Sequence, residues 1–528
     1  MNSDILFFDS NVCVGKRGRK HRLEMWKTED VLKVMDQCGV GAALVYSGWA
    51  KDYSPKYGNE RLTEELNKSD RLYGCYTVLP NQPGDFFDPE EMLRNLRSKK
   101  MVAARMFPRS HTYIPDTRTM GGIYKVLQRE HIPLFVDASE ISMQELASVL
   151  DEYRDLNVVL TGLSWSMERM LFPVMDDFPN LHIDFSTLQT NRIIEVMYER
   201  YGAERLIFGS GMPMKSLGAA RAFIDYGQIP LEAKKKIAGG NLCRLTGVKN
   251  IPSTEVKNDF IAKEASEGKP MSVFVFDSHA HFLEEGGNCG TGRMMIGGDI
   301  HNMVKLNDLM GVDKYVVAPW LGIWTDSEAG NEAVLSMCRQ YPKKVLGYVL
   351  IDPNYVEDVE KEAKKYHLEH GMPGVKMLYA RTGVRYNDPV YDPWWKIANE
   401  NNLFALMDYG SYPTFLEDVE ELAIRYPNVS FFLDHAGRSF AAAEENAYYA
   451  KKYPNIYLQL TYTTVPQGLI EYLCNEGLAD KVLYGTDAPM RDPRPQLTWV
   501  AFARLSLEEK KKILGENMQR ILNRCFTF

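Results

Sequence analysis

The chain repeats itself at long range, and this limits its possible folds more than any single motif. Phe7-Phe8-Asp9-Ser10 returns as Val275-Phe276-Asp277-Ser278, and Tyr73-Gly74-Cys75-Tyr76-Thr77-Val78-Leu79-Pro80-Asn81 is answered by Leu346-Gly347-Tyr348-Val349-Leu350-Ile351-Asp352-Pro353-Asn354. Arg205-Leu206-Ile207-Phe208-Gly209-Ser210 matches Lys481-Val482-Leu483-Tyr484-Gly485-Thr486. Leu231–Ile237 matches Leu507–Ile513, each followed closely by an asparagine, Asn241 or Asn517. The four pairs keep their order while their separation drifts only from 268 to 276 residues. Repeats that stack into solenoids are roughly 20–50 residues long, so a period this large duplicates a whole domain. A chain of 528 residues therefore reads as two tandem domains, each near the size at which a single hydrophobic core stops growing.

The polar stretch 249–271, with Pro252, Ser253, Thr254, Ser266, Gly268 and Pro270, has the composition of a linker. The expected boundaries are 1–248 for the first copy, 249–271 for the linker and 272–528 for the second copy. In the second copy, strands are predicted at Val273–Phe276, Lys314–Ala318, Val345–Leu350, Gly374–Leu378, Phe404–Met407, Ser430–Leu433, Ile456–Leu460 and Val482–Tyr484. Between them, Asp358–Tyr366 and Phe415–Arg425 are apolar at helical spacing. Strands alternating with helices in this number predict a parallel (β/α)8 barrel, so the fold class is expected to be α/β with two tandem TIM-like barrels. A hydrophobic fraction of 45% with 25% charged residues excludes a disordered or fibrous chain. The net charge of −8 carries no global basic footprint for nucleic acid. No run approaches the ~18 apolar residues of a membrane span, and the start shows no secretory leader pattern. Cys13, Cys38, Cys75, Cys243, Cys289, Cys338, Cys474 and Cys525 are scattered without a CxxC pair, which reads as reduced thiols in a cytoplasmic protein.

Such a barrel places its chemistry at the carboxyl ends of its strands. In the second copy those positions hold His279 and His281 at strand one, Lys376 at strand four, Asp408 at five, His435 at six and Asp487 at eight. Side chains on a strand alternate with period two, so His-x-His points both imidazoles to one side, where both can bind one ion. The carboxylates Asp408 and Asp487 can complete a divalent-metal site. Lys376, Arg381, Arg438, Arg491 and Arg494 follow predicted strands, where cations can hold a substrate carboxylate. Trp320, Trp324, Trp394 and Trp395 can wall an apolar pocket. In the first copy the corresponding positions read Asn11 and Cys13 for the two histidines, Arg105 for Lys376, Asp137 for Asp408, Ser164 for His435 and Gly211 for Asp487. That set cannot build a three-ligand site of the usual kind, so residues 1–248 are expected to form a degenerate barrel without metal ligands. Arg105, Arg109, His111 and Asp137 are expected at its old pocket mouth.

Phe276-Asp277-Ser278-His279-Ala280-His281-Phe282, Phe432-Leu433-Asp434-His435-Ala436-Gly437 and Tyr484-Gly485-Thr486-Asp487-Ala488-Pro489 resemble the strand one, six and eight motifs of the amidohydrolase-related (amidohydrolase-2) branch of the amidohydrolase superfamily. The resemblance covers nearly all of the second copy and, more faintly, the first. It implies a single divalent metal, usually zinc, and either hydrolysis or metal-dependent decarboxylation of small acids. It also implies His279 and His281 as metal ligands, His435 as acid/base, and Asp487 as a ligand or as the base that takes a proton from water. The family usually has a histidine at the end of strand five, where this chain has Asp408; a carboxylate there hardens the site towards Mn²⁺ or Fe²⁺ as alternatives to Zn²⁺. The leading expectation is a metal-dependent hydrolase of a small, carboxylate-bearing substrate, with Lys376, Arg381 and Arg438 binding substrate. The runner-up is a non-oxidative decarboxylase of an aromatic or enoic acid, and the first barrel is expected to be a non-catalytic support. Members of the family commonly form homodimers, so the resemblance further implies that the two copies make an intramolecular pseudo-dimer, with further homo-oligomerisation left open. No nucleic-acid or membrane partner is expected.

Overall fold

The computed structural model describes residues 4–99, 101–184, 187–410, 412–461 and 464–526. The chain separates into two compact units, Met1–Gln189 with Ile193–Gly268 and Thr190–Arg192 with Lys269–Phe528. The first unit is built on β1 (Phe8–Val14), β2 (Ala42–Ser47), β3 (Leu72–Thr77), β4 (Met101–Met106), β5 (Leu134–Asp137), β6 (Val158–Thr161), β7 (Leu181–Asp184) and β8 (Leu206–Ile207), parallel and adjacent in chain order. The second unit begins with β9 (Phe276–Ala280) and a short antiparallel hairpin of β10 (Cys289–Gly290) and β11 (Arg293–Met294). It continues with β12 (Lys314–Val317), β13 (Val345–Val349), β14 (Gly374–Met377), β15 (Phe404–Met407), β16 (Ser430–Leu433), β17 (Ile456–Leu460) and β18 (Val482–Tyr484), which join β9 in a second eight-stranded parallel sheet. Helices alternate with the strands throughout, so the chain is two tandem (β/α)8 barrels.

The strands read as near-continuous apolar runs because each is covered on both faces. Phe276, Val316, Tyr348, Phe404, Leu406, Phe432, Tyr457 and Leu483 form one core with Met518 and Ile521. Phe8, Leu44, Cys75, Ala103, Phe135, Val159 and Ile207 form the other with Leu242 and Leu245.

The sequence repeats mark where each barrel closes. In the first, the backbone N–H of Ser210 donates to Asp9 Oδ1 at 3.0 Å, joining the last strand to the first. In the second, the N–H of Thr486 donates to Asp277 Oδ1 at 3.1 Å. Burial raises both carboxyls, Asp9 to about 6 and Asp277 to about 7. The repeated asparagines tie the final helix to the last strand. Asn241 Nδ2 donates to the carbonyls of Ala203 and Leu206 at 2.7 and 2.8 Å, and Asn517 Nδ2 to those of Ala479 and Val482 at 2.8 and 2.9 Å.

Of the strands predicted in the second copy, the first is displaced: Val273–Phe276 was expected and β9 runs Phe276–Ala280. The strand continues through polar residues because its neighbours supply the ladder. Tyr315 pairs with Asp277 and Val317 with Ala280, and the N–H groups of Thr486 and Asp487 donate to the His279 carbonyl. The register shift between those pairs is a bulge, which re-aims side chains at a strand end. A shift at the same place, between Asp9 and Val12, marks the first barrel. The stretch expected to be a linker, 249–271, carries a helix, Phe260–Ser266, capped by Asp259, with Ile261, Ala262 and Ala265 fully buried. Its polar composition hid a helical spacing of three apolar residues, and 249–268 group with the first unit.

One buried histidine makes the second barrel acid-sensitive. His367 Nδ1 lies 2.6 Å from the Met372 carbonyl, and its Nε2 accepts from Trp394 Nε1 at 2.8 Å. Only a neutral imidazole with its proton on Nδ1 satisfies both contacts. Burial lowers its pKa to about 4, whereas an unfolded histidine titrates near ~6.5. The folded state therefore resists a proton that the unfolded state takes up, so the stabilisation is complete above ~6.5 and drains as the pH falls towards 4, by about 3 kcal/mol. Urea unfolding followed by tryptophan fluorescence between pH 7 and 4 should show this loss. The loss should shrink by the same amount in His367→Gln, and an unchanged pH slope there would exclude His367 as its source.

Candidate metal centre

Three side chains from the two ends of the second barrel's strand order converge. His279 lies on β9, His281 just past its bulge, and Asp487 three residues beyond β18. His279 Nε2 and His281 Nε2 are 2.8 Å apart. Asp487 Oδ1 is 3.0 Å from His281 Nε2 and 3.4 Å from His279 Nε2. All three residues are buried. Asp487 has φ of 65°, a left-handed backbone rare outside glycine, which turns its carboxylate towards the histidines.

The histidine that sequence reasoning assigned is held by a carboxylate that it did not. Asp434, directly after β16, sets Oδ1 3.1 Å from His279 Nδ1 and Oδ2 3.1 Å from Lys376 Nζ. Thr461 Oγ1 donates to Asp434 Oδ1 at 3.1 Å. Burial alone would raise the Asp434 carboxyl, but His279, His435 and Lys376 around it hold it well below the usual carboxylate range. Asp434 Oδ1 beside Nδ1 orients the His279 ring so that its Nε2 faces His281 and Asp487. Burial, reinforced by His279 and Lys376, pushes the pKa of His281 well below its ordinary value, so His281 is neutral. Both Asp487 oxygens are buried without a well-aimed hydrogen-bond donor among the described residues, although the Arg491 guanidinium abuts one of them. Two imidazole nitrogens and a carboxylate oxygen meeting at one point is the donor chemistry of a Zn²⁺-class site.

Asp408, expected as a fourth ligand, groups instead with Asp434 and His435, whose ligand atoms lie within 4.8 Å of one another. His435 has φ of 55° and sets Nδ1 2.8 Å from Thr461 Oγ1 and 3.3 Å from Asp434 Oδ1. Burial lowers its pKa, and it is neutral. Lys376 is buried against Asp434. Arg438 Nη2 donates to the Tyr409 carbonyl at 3.0 Å, with the guanidinium 4.8 Å over that ring. Arg381 is exposed on the short helix Tyr379–Thr382. Arg494 is enclosed with Asp492, its Nε donating to Oδ1 at 2.8 Å.

The four tryptophans divide. Trp320 packs 5.3 Å from the His281 ring and 5.6 Å from Trp324, in an apolar cluster with Leu283 and Met295. Trp394 and Trp395 are fully buried, bonded to His367 Nε2 and the Tyr386 carbonyl, and wall nothing. The signal for Asp434 was present in the sequence: Phe432 points into the core, and period-two alternation sends Asp434 the same way.

The register also corrects the correspondence between copies. Val136 pairs with Leu160 across β5 and β6, as Met407 pairs with Leu433 across β15 and β16. Matching Arg105 to Lys376 across the preceding strands then equates Thr161 with Asp434 and Gly162 with His435, in place of the expected Ser164. Gly162 and Gly211 have φ of 66° and 74°, the backbone of His435 and Asp487 without their side chains.

A barrel with paired histidines on its first strand and an aspartate after its eighth defines a class of metal-site barrel proteins. The chain belongs to the amidohydrolase family Amidohydro_2, whose model matches residues 43–245 and 277–524. No curated protein matches the chain. Similar solved structures include an uncharacterised TIM-barrel protein from Bordetella bronchiseptica, at 21% identity and TM-score 0.36, covering 43% of this chain and 83% of that one. Another is 2,6-dihydroxybenzoate decarboxylase complexed with 2,6-dihydroxybenzoate, at 17% identity and TM-score 0.39, covering 46% and 100%. A third is 5-carboxyvanillate decarboxylase from Novosphingobium aromaticivorans, complexed with manganese and 4-hydroxy-3-methoxy-5-nitrobenzoic acid, at 14% identity and TM-score 0.38, covering 48% and 98%. Among the described residues, no helix is long and apolar enough to cross a membrane.

Proposed function

We propose that the second barrel is a metal-dependent hydrolase acting on a small, carboxylate-bearing substrate. The observation that carries this reading is the meeting of His279 Nε2, His281 Nε2 and Asp487 Oδ1 within 3.4 Å of one another. A divalent ion held by these three residues, with Zn²⁺ expected and Mn²⁺ or Fe²⁺ as alternatives, would supply Lewis acidity and a lowered pKa for water. The protein's own groups do the rest. Asp487 accepts a proton from the attacking water, while Arg491 against its other oxygen keeps the carboxylate oriented. His435 is neutral and anchored through Nδ1 by Thr461, which suits its Nε2 to orient the substrate while Asp487 returns the proton to the leaving group. Arg438, braced on Tyr409, is positioned as a cation for a substrate carboxylate. Trp320 shields the His281 side from water.

Metal analysis of the purified full chain, with turnover of a library of esters, lactones, amides and free aromatic acids, tests the reading. One metal equivalent per chain and acid release without CO₂ are expected. CO₂ release from a free acid would replace hydrolysis by decarboxylation on the same residues. Two equivalents would mean a second centre, in the first barrel or at Asp408, Asp434 and His435. Asn11→Ala and Cys13→Ala should leave the metal content unchanged, since among the described residues the clusters of three His, Cys, Asp or Glu ligands lie in the second barrel.

A further inference from the structure

The first barrel kept its cations and lost the acids that answer them. In the second barrel Lys376 is paired with Asp434 and Arg491 with Asp487. At the matching places the first barrel holds Arg105 and Lys215, but Thr161 and Gly211 replace the two aspartates. Arg105 is only 2% exposed, yet all its partners are neutral. Nη1 donates to Asn11 Oδ1 at 3.0 Å, Nη2 donates to Thr161 Oγ1 at 2.8 Å, and the guanidinium lies 4.2 Å over the Tyr46 ring. Its Nε is buried with no partner among the described residues. Lys215 is half-buried, its Cδ 3.3 Å from where a Cβ on Gly211 would stand, so its stem borders the position that Asp487 holds in the other copy. Burial lowers its pKa.

Two carboxylates stand nearby, Asp137 at the end of β5 and Asp184 at the end of β7. Both oppose the effect of burial on Lys215, but among the described residues neither makes an ion pair with it or with Arg105. Asp137 Oδ1 instead takes the N–H and hydroxyl of Ser139 at 2.9 and 2.7 Å. A buried cation without an ion-paired anion is costly; Arg105 is such a cation, and the half-buried Lys215 lies close enough to Asp137 to feel its charge. All four replacements of site residues, Asn11 for His279, Cys13 for His281, Gly162 for His435 and Gly211 for Asp487, are smaller than what they replace.

We propose that the first barrel binds a small carboxylate monoanion, held by the Arg105 guanidinium and the Lys215 ammonium where its sister barrel gathers metal ligands. A carboxylate is the planar partner an arginine edge fits. Asp137 and Asp184 disfavour a second negative charge, so a monoanion is preferred to phosphate. The site would let a substrate-like or product-like acid bind the first copy without being turned over.

The test uses the full chain with its second centre blocked by His279→Ala and His281→Ala, titrated calorimetrically with acetate, benzoate and inorganic phosphate. Saturable binding of a carboxylate is expected, weakened at least about tenfold by Lys215→Met and, separately, by Arg105→Gln. Two variants are used because Arg105 is buried and its loss alone can impair folding. No saturable carboxylate binding, or binding unchanged in both variants, would overturn the proposal, as would binding of phosphate alone.

Discussion

Replacing His281 with alanine should remove bound metal and turnover together, by more than the roughly 10–100-fold that follows when only a supporting residue is changed. His281 supplies one of three converging donor atoms, and its neutral ring makes no compensating contact elsewhere that would hold an ion in its absence. Asp487→Asn should do the same while leaving the barrel folded, because the amide keeps the shape of the side chain and loses its charge. That variant also leaves Arg491 without its carboxylate. Metal content by mass spectrometry, turnover and circular dichroism on the same samples check both. Near-normal activity in either variant would take that residue out of the centre.

The second large effect is expected at Asp434. Asp434→Leu strands the buried Lys376 ammonium and should cost about 3–5 kcal/mol of stability. Asp434→Asn preserves an acceptor for His279 Nδ1 but sets its amide N–H against the Lys376 ammonium, so it should lower metal affinity, by about 10–100-fold, and stability as well. Pairing Asp434→Leu with Lys376→Met removes both buried charges and should recover most of the lost stability, a coupling that urea unfolding of the two single variants and the double variant measures. Strictly additive losses would mean that Asp434 and Lys376 do not depend on each other.

The architecture was open to reading because its signals are local and repeated. Apolar runs such as Phe404–Met407 and Ser430–Leu433 coincide with observed strands, since strands buried on both faces leave little else to be apolar. The displaced first strand shows the limit of this approach. Asp277-Ser278-His279 looks like the end of an apolar strand, but neighbouring backbones impose the strand conformation on it. At the site, His279, His281 and Asp487 announced themselves by residue type and position. Asp434 did not, because a carboxylate beside a histidine draws less notice than the histidine. Asp408 was placed by its strand number, but the chain brings it to His435 and Asp434 rather than to the two first-strand histidines. The equivalence of Gly162 with His435 needed strand register, which spacing along a loop cannot supply.

Those two left-handed positions weigh differently on the two copies. Holding His435 and Asp487 at positive φ costs the working barrel about 1–2 kcal/mol at each residue. Glycine at 162 and 211 adopts the same backbone in the first copy without that cost. The way back to a side chain is unequal at the two places. A side chain regained at Gly211 meets only the movable Lys215 stem at 3.3 Å. One regained at Gly162 runs into the Asp137 carboxylate at 2.1 Å. Asp137 therefore has to move before any side chain fits at 162. Rebuilding a side chain at either position thus depends on which neighbour must move first.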